Sequence, residues 1–166
     1  MVKRREGVKA GILIRMLASA YDGLILFGLC FLAFIPLTIV EQNMGEAPHW
    51  LKGALLLAIS FAYFVGFWTR GGATTGMRPW KLMVVMNETG DPLSWTVAST
   101  RFAGLMVTWL SLGMTLWYII TKDTGHFLFF LASAIPALSM LVMGLSKDRS
   151  TLHDLIAGTG VYKVSE

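Results

Sequence analysis

Four runs without a charged residue, 23–40, 53–69, 102–121 and 127–146, constrain this 166-residue chain more than anything else in it. At 1.5 Å per residue each makes a helix of roughly 25 to 30 Å, about the thickness of a bilayer's hydrocarbon layer. Backbone groups in lipid have no water to bond with, so such runs close their own hydrogen bonds as helices, whatever the β-propensity of their Phe, Val and Ile. The chain is 55% hydrophobic and 14% charged, with ten Met, ten Phe and six Trp, more apolar surface than a soluble domain of this length has interior to hide. The expected fold is therefore an all-α membrane protein of four transmembrane helices, spanning approximately 12–40, 52–69, 100–121 and 126–146 in a single domain, 1–166. Pro36 and Pro136 are expected to kink the first and fourth spans.

An even number of spans puts both termini on one side, and lysine plus arginine identify it. Lys3, Arg4, Arg5, Lys9 and Arg15 belong to the N-terminal segment and the mouth of the first span; Arg70, Arg78, Lys81 and Arg101 lie in or border the connection 70–100; Lys147, Arg149 and Lys163 lie in the tail 147–166. Only Lys52 and Lys122 of the 14 basic residues fall on the other side, which predicts an N-in, C-in arrangement. The net charge of +4 is thus read as topology, and no basic run interleaved with aromatics suggests nucleic acid. Trp50, Trp68, Trp95, Trp117 and Tyr118 fall at span ends, where they are read as interface anchors. The first helix is expected to be retained, because Arg15 and Asp22 interrupt any signal-peptide core. Cys30, the lone cysteine, is read as an inert thiol.

The connection 70–100 predicts a β-hairpin lying against the membrane, with its turn at 87–92. In the tail, 151–156 predicts a short helix and 161–164 a strand, so that hairpin and tail form a small cytoplasmic cap. The stretch GGATTGMR, 71–78, lacks the Gly-Lys-Ser/Thr ending of a phosphate loop; its glycines imply a backbone approached closely by something else. His49, Asp123 and His126 have no metal-ligand spacing, and no catalytic constellation is legible.

Arg15 and Asp22 are seven residues apart, nearly two helical turns, so both lie on one face about 10 Å apart along the axis. Too distant to pair with each other, each needs another partner. Arg101, entering the third span from the same side, is the expected partner of Asp22, and Asp154, on the tail helix, that of Arg15.

These residues resemble the signature of the RDD family of membrane proteins, named for one arginine and two aspartates, here Arg15, Asp22 and Asp154. The stretch GATTGMRPWKLMVV is similar to the family's G-x-T-x-G-K-R segment with its following strand, which marks Gly72, Thr74, Gly76 and Arg78 as loop residues, with Arg101 as a supporting charge. Met77 stands where the family usually has lysine, and Gly160 where it commonly has a larger residue. The resemblance implies a bacterial-type plasma (inner) membrane protein that crosses several times with both termini cytoplasmic. It is expected to be non-enzymatic, with no catalytic residue, metal or cofactor. Its partners would be membrane lipids and either a membrane protein or further copies of itself. The leading expectation is an accessory or scaffold subunit of a larger, transporter-type complex, with small residues such as Gly104, Gly113, Ala132 and Ala134 permitting close helix contact. The alternative is a cation/proton exchanger in which Asp22 titrates.

Overall fold

The computed structural model describes residues 8–121, 134–135, 138–139, 141–142 and 150–164. Three helices in it are long and apolar enough to cross a membrane: α1 (Ile12–Met44), α2 (His49–Gly71) and α3 (Trp95–Thr121). The fourth expected span, 126–146, and the 122–126 connection that precedes it lie almost wholly outside the described residues. The α1–α2 connection is fastened by Glu41, whose carboxylate accepts the Ala47 N–H at 2.8 Å and pairs with Lys52 at 2.8 Å. Helix α1 continues through Pro36 to Met44.

The burial of α1 inverts that of a soluble helix. Its buried residues are Ala18 and Asp22, while Leu24, Phe27, Phe31 and Leu32 are exposed. A soluble amphipathic helix hides its apolar stripe. Here the small and charged face points inward and the large apolar side chains point out, as lipid requires.

Three strands, β1 (Val8–Lys9), β2 (Leu82–Met86) and β3 (Thr159–Lys163), form an antiparallel sheet in the order β1-β3-β2. Val84 faces Val161 and Lys9 faces Tyr162 across the two ladders. The N-terminal segment, the middle connection and the tail therefore meet at one end of the helices as a cap. The expected hairpin is corrected by this sheet: β2 has no return strand, and its partner is the tail. Pro92 has no N–H to give a ladder, and the turn closes on itself through Gly90 N–H to the Met86 carbonyl at 2.9 Å and Met86 N–H to the Asp91 carbonyl at 3.0 Å. Ser94 then caps α3, its hydroxyl accepting the Val97 N–H at 3.3 Å. The tail strand begins earlier than expected and includes Gly160. A Cβ on Gly160 would collide with the Asn87 side chain and lie 2.8 Å from the Tyr162 ring, so a larger residue there requires those two side chains to move.

The core sits where α2 and α3 meet the cap, with Tyr63, Phe64, Val65 and Trp68 from α2, Ala98 and Phe102 from α3, and Leu82, Val84 and Val161 from the sheet. Phe61 meets Phe102 edge-to-face at 5.3 Å. Trp68 is only 3% exposed, which corrects its reading as an interface anchor, whereas Trp50, Trp95 and Trp117 are exposed at helix ends.

Candidate functional site: two buried carboxylates under the cap

Asp22 is held by the segment after α2. Gly72, at φ 65°, ends that helix in the left-handed conformation that glycine adopts without strain. Its carbonyl accepts the Val84 N–H at 2.6 Å, which aligns β2. The next residues then pass directly over α1. Asp22 Oδ1 accepts the Gly76 N–H at 2.8 Å and the Tyr63 hydroxyl at 2.6 Å, and Oδ2 accepts the Thr74 hydroxyl at 2.6 Å. A Cβ on Gly76 would lie 2.5 Å from the Ala18 carbonyl oxygen and 2.7 Å from both Asp22 N and Oδ1. The close approach that the glycines imply is therefore an approach to α1. Thr74 is 1% exposed and Asp22 5%, so the carboxylate is enclosed.

Arg101 does not reach Asp22, which corrects that expected pair. It pairs instead with Asp154, Nη1 to Oδ1 at 2.6 Å, and Nη1 also donates to the Thr159 hydroxyl at 2.7 Å. The Asp154 contact is an ion pair rather than an aligned hydrogen bond. Its guanidinium lies over the Trp68 ring at 4.8 Å, a cation–π contact from α3 to α2. Arg15 pairs with the other oxygen of Asp154, as expected, and also donates to the Thr151 hydroxyl at 3.3 Å. Asp154 is fully buried between the two arginines. Burial alone would raise its carboxyl; Arg101 and then Arg15 outweigh that and hold it well below the ordinary carboxylate range.

The tail helix α4 (Leu152–Ile156) opens with a capping box, in which Asp154 also accepts the Thr151 N–H at 3.2 Å. One side chain thus caps its own helix and joins α1 to α3. Gly104 lets α4 sit down on α3: a Cβ there would meet His153 Cβ at 2.9 Å. The small residue invoked for contact with another protein is used inside the chain. Gly104→Ala is expected to push α4 off α3 at about 1–3 kcal/mol, read as a lowered melting temperature in detergent; an unchanged melting temperature would show that the tail yields freely.

Arg78 is on the short 3₁₀ turn Arg78–Trp80, its guanidinium 5.6 Å from the Phe67 ring, and does not join either carboxylate. Met77 is 7% exposed and belongs to the core. Three participants escaped the sequence reading, Tyr63, Thr151 and Thr159. A tyrosine inside an apolar span is a signal for the first, because its hydroxyl needs a partner there; nothing local marks Thr159.

A helical membrane protein whose first helix is locked to a membrane-surface cap by two internal acid sites is the class that this geometry defines. The chain belongs to the RDD family, whose sequence profile matches residues 9–158. Comparisons with curated proteins and with solved structures gave no match.

Proposed function

We propose that this chain is a non-enzymatic accessory or scaffold subunit of a larger membrane complex of transporter type. The observation that carries the reading is that both signature carboxylates are satisfied from within, Asp22 by three donors and Asp154 by two arginines. Their bonds fix the fold's own parts, leaving the exposed apolar length of α1 as the surface on offer to lipid or to another membrane protein. We also propose four crossings of a bacterial-type plasma (inner) membrane with both termini cytoplasmic. Helix α3 runs on for 17 residues beyond Gly104, about 25 Å, yet the tail helix α4 packs against Gly104 itself, which supports a returning span. The cap is also where the basic residues concentrate, which supports a cytoplasmic face.

Solubilising native membranes gently, with the chain tagged at its endogenous level, is expected to bring it down with a defined membrane-protein partner; a chain that runs alone overturns the reading. Cation/proton exchange is the second reading. In its favour, Asp22 lies in a spanning helix and none of its hydrogen-bond donors is a cation. Against it, water or an ion would first have to displace those donors. Proton flux driven by a Na⁺ or K⁺ gradient in liposomes, lost in Asp22→Asn, would establish exchange.

A further inference from the structure

We propose that the tail is an acid-released strap: protonation of His153 loosens α4 from the α1–α3 clamp and, with it, the central strand of the cap. His153 stands against α3 at Gly104, with its side chain 11% exposed. Its Nε2 is 3.0 Å from the Thr151 hydroxyl and 3.7 Å from Asp154 Oδ1, while its Nδ1 is buried with no hydrogen-bond partner. The Thr151 hydroxyl already accepts from Arg15, so its single proton is free to donate to Nε2. That arrangement suits a neutral imidazole. An imidazolium carries a proton on both nitrogens, and the one on Nδ1 is buried with no acceptor.

Charge opposes protonation as well. The groups facing His153 from the packed elements are Arg15 on α1, Arg101 on α3 and Asp154 on its own helix. The single carboxylate already faces two guanidiniums, so an imidazolium makes three cations around one anion. Desolvation first, then Arg101, holds the His153 imidazole down to about 4, against 6.5 when free, with Asp154 opposing.

These shifts set the direction of the pH effect. A group whose pKa is lowered in the closed state favours that state above its free value, and the preference fades as pH falls from 6.5 towards about 4. Asp154, held far below its ordinary 3.8, stays ionised throughout this window, so its own contribution is intact there. The short helix matters because it is joined closely to the sheet. Only Ala157 and Gly158 separate α4 from β3, whose first residue, Thr159, is tied to Arg101 at 2.7 Å. β3 in turn holds both β1 and β2. Loosening α4 therefore strains the polar fastening of the sheet to α3, the Arg101–Thr159 bond just beyond those two residues.

Hydrogen exchange of the intact protein in lipid nanodiscs tests this. After correction for intrinsic rates, protection of the Thr159–Lys163 amides is expected to fall about thirtyfold between pH 7.5 and pH 5, while the α2 amides keep theirs. His153→Gln, neutral at every pH, is expected to remove that fall. Protection in the wild-type strand that is flat across this range overturns the proposal, and so does an equal fall in the Gln variant. Should that variant not fold, the wild-type profile alone decides, because among the described residues the charged groups facing His153 are two arginines and Asp154, and none is a second imidazole.

Discussion

Asp154→Asn is expected to lower the stability of the folded chain by about 3–5 kcal/mol, the largest effect of any single polar substitution in this structure. Asp154 is fully buried, and its two oxygens face different arginines from different helices. The amide keeps shape and size but removes the one negative charge between two cations. Arg101, its side chain 5% exposed, would remain buried beside Trp68 without a counter-ion. Leaving a buried charge uncompensated costs more than the intact pair gains, because desolvation is not recovered. The helix loses its cap in the same step: an Asn that turns its oxygen to Arg101 offers only an NH₂ to the Thr151 N–H.

Arg15→Ala is expected to cost less, since Arg15 is 12% exposed and Arg101 still neutralises the acid. Thermal unfolding of detergent-solubilised variants gives both values, and a drop for Asp154→Asn no larger than for Arg15→Ala would show that the buried position carries no special weight. Exposed ion pairs seldom reach 1 kcal/mol, so the size of the Asp154 effect is itself the test of burial.

The sequence made legible those features that depend on period, charge and length. Helices α1, α2 and α3 come where charge-free runs demand them, within a few residues of the expected bounds, because lipid leaves no alternative to a self-bonded backbone. The pairing of Arg15 with Asp154 was legible because each needed a partner and both lay at one end. Which acid Arg101 takes was not legible. Its expected partner was Asp22, and that pairing fails because Gly76, Thr74 and Tyr63 already bond the Asp22 carboxylate with uncharged donors. Donors of that kind carry no charge pattern. The hairpin failed for a related reason: a strand reads the same whether its partner is the next segment or, as for β2, one more than seventy residues on. Val8–Lys9 is too short to announce a strand at all.

Gly76→Ala and Gly23→Ala, two identical changes beside Asp22, are expected to differ in sign. A Cβ at Gly23 meets nothing within 4 Å, and alanine in a helix interior is favoured over glycine by about 0.5–1 kcal/mol, so Gly23→Ala should hold or raise the melting temperature. At Gly76 the new carbon would press on backbone atoms of α1, the Ala18 oxygen at 2.5 Å and the Asp22 nitrogen at 2.7 Å, which cannot swing aside as a side chain does. The segment must lift, and lifting breaks the Gly76 N–H bond to the carboxylate and pulls Thr74 with it. Overpacking plus the weakening of a charge-assisted bond gives about 2–5 kcal/mol. Asp22→Asn is the informative companion. Its carbonyl can keep Tyr63 and the Gly76 N–H while the Thr74 hydroxyl turns to accept from the new NH₂, so the clamp survives at a cost of about 1–2 kcal/mol. Asp22→Ala strands three buried donors and should cost more. A clamp therefore predicts that stability falls in the order Asn, then Ala, measured by thermal unfolding, with Gly76→Ala reproducing the loss although the carboxylate is untouched. A working titratable site predicts the reverse emphasis, an Asn variant as stable as the parent and inert in flux. If Gly76→Ala melts with the parent, Asp22 is not held by this segment and the clamp is wrong.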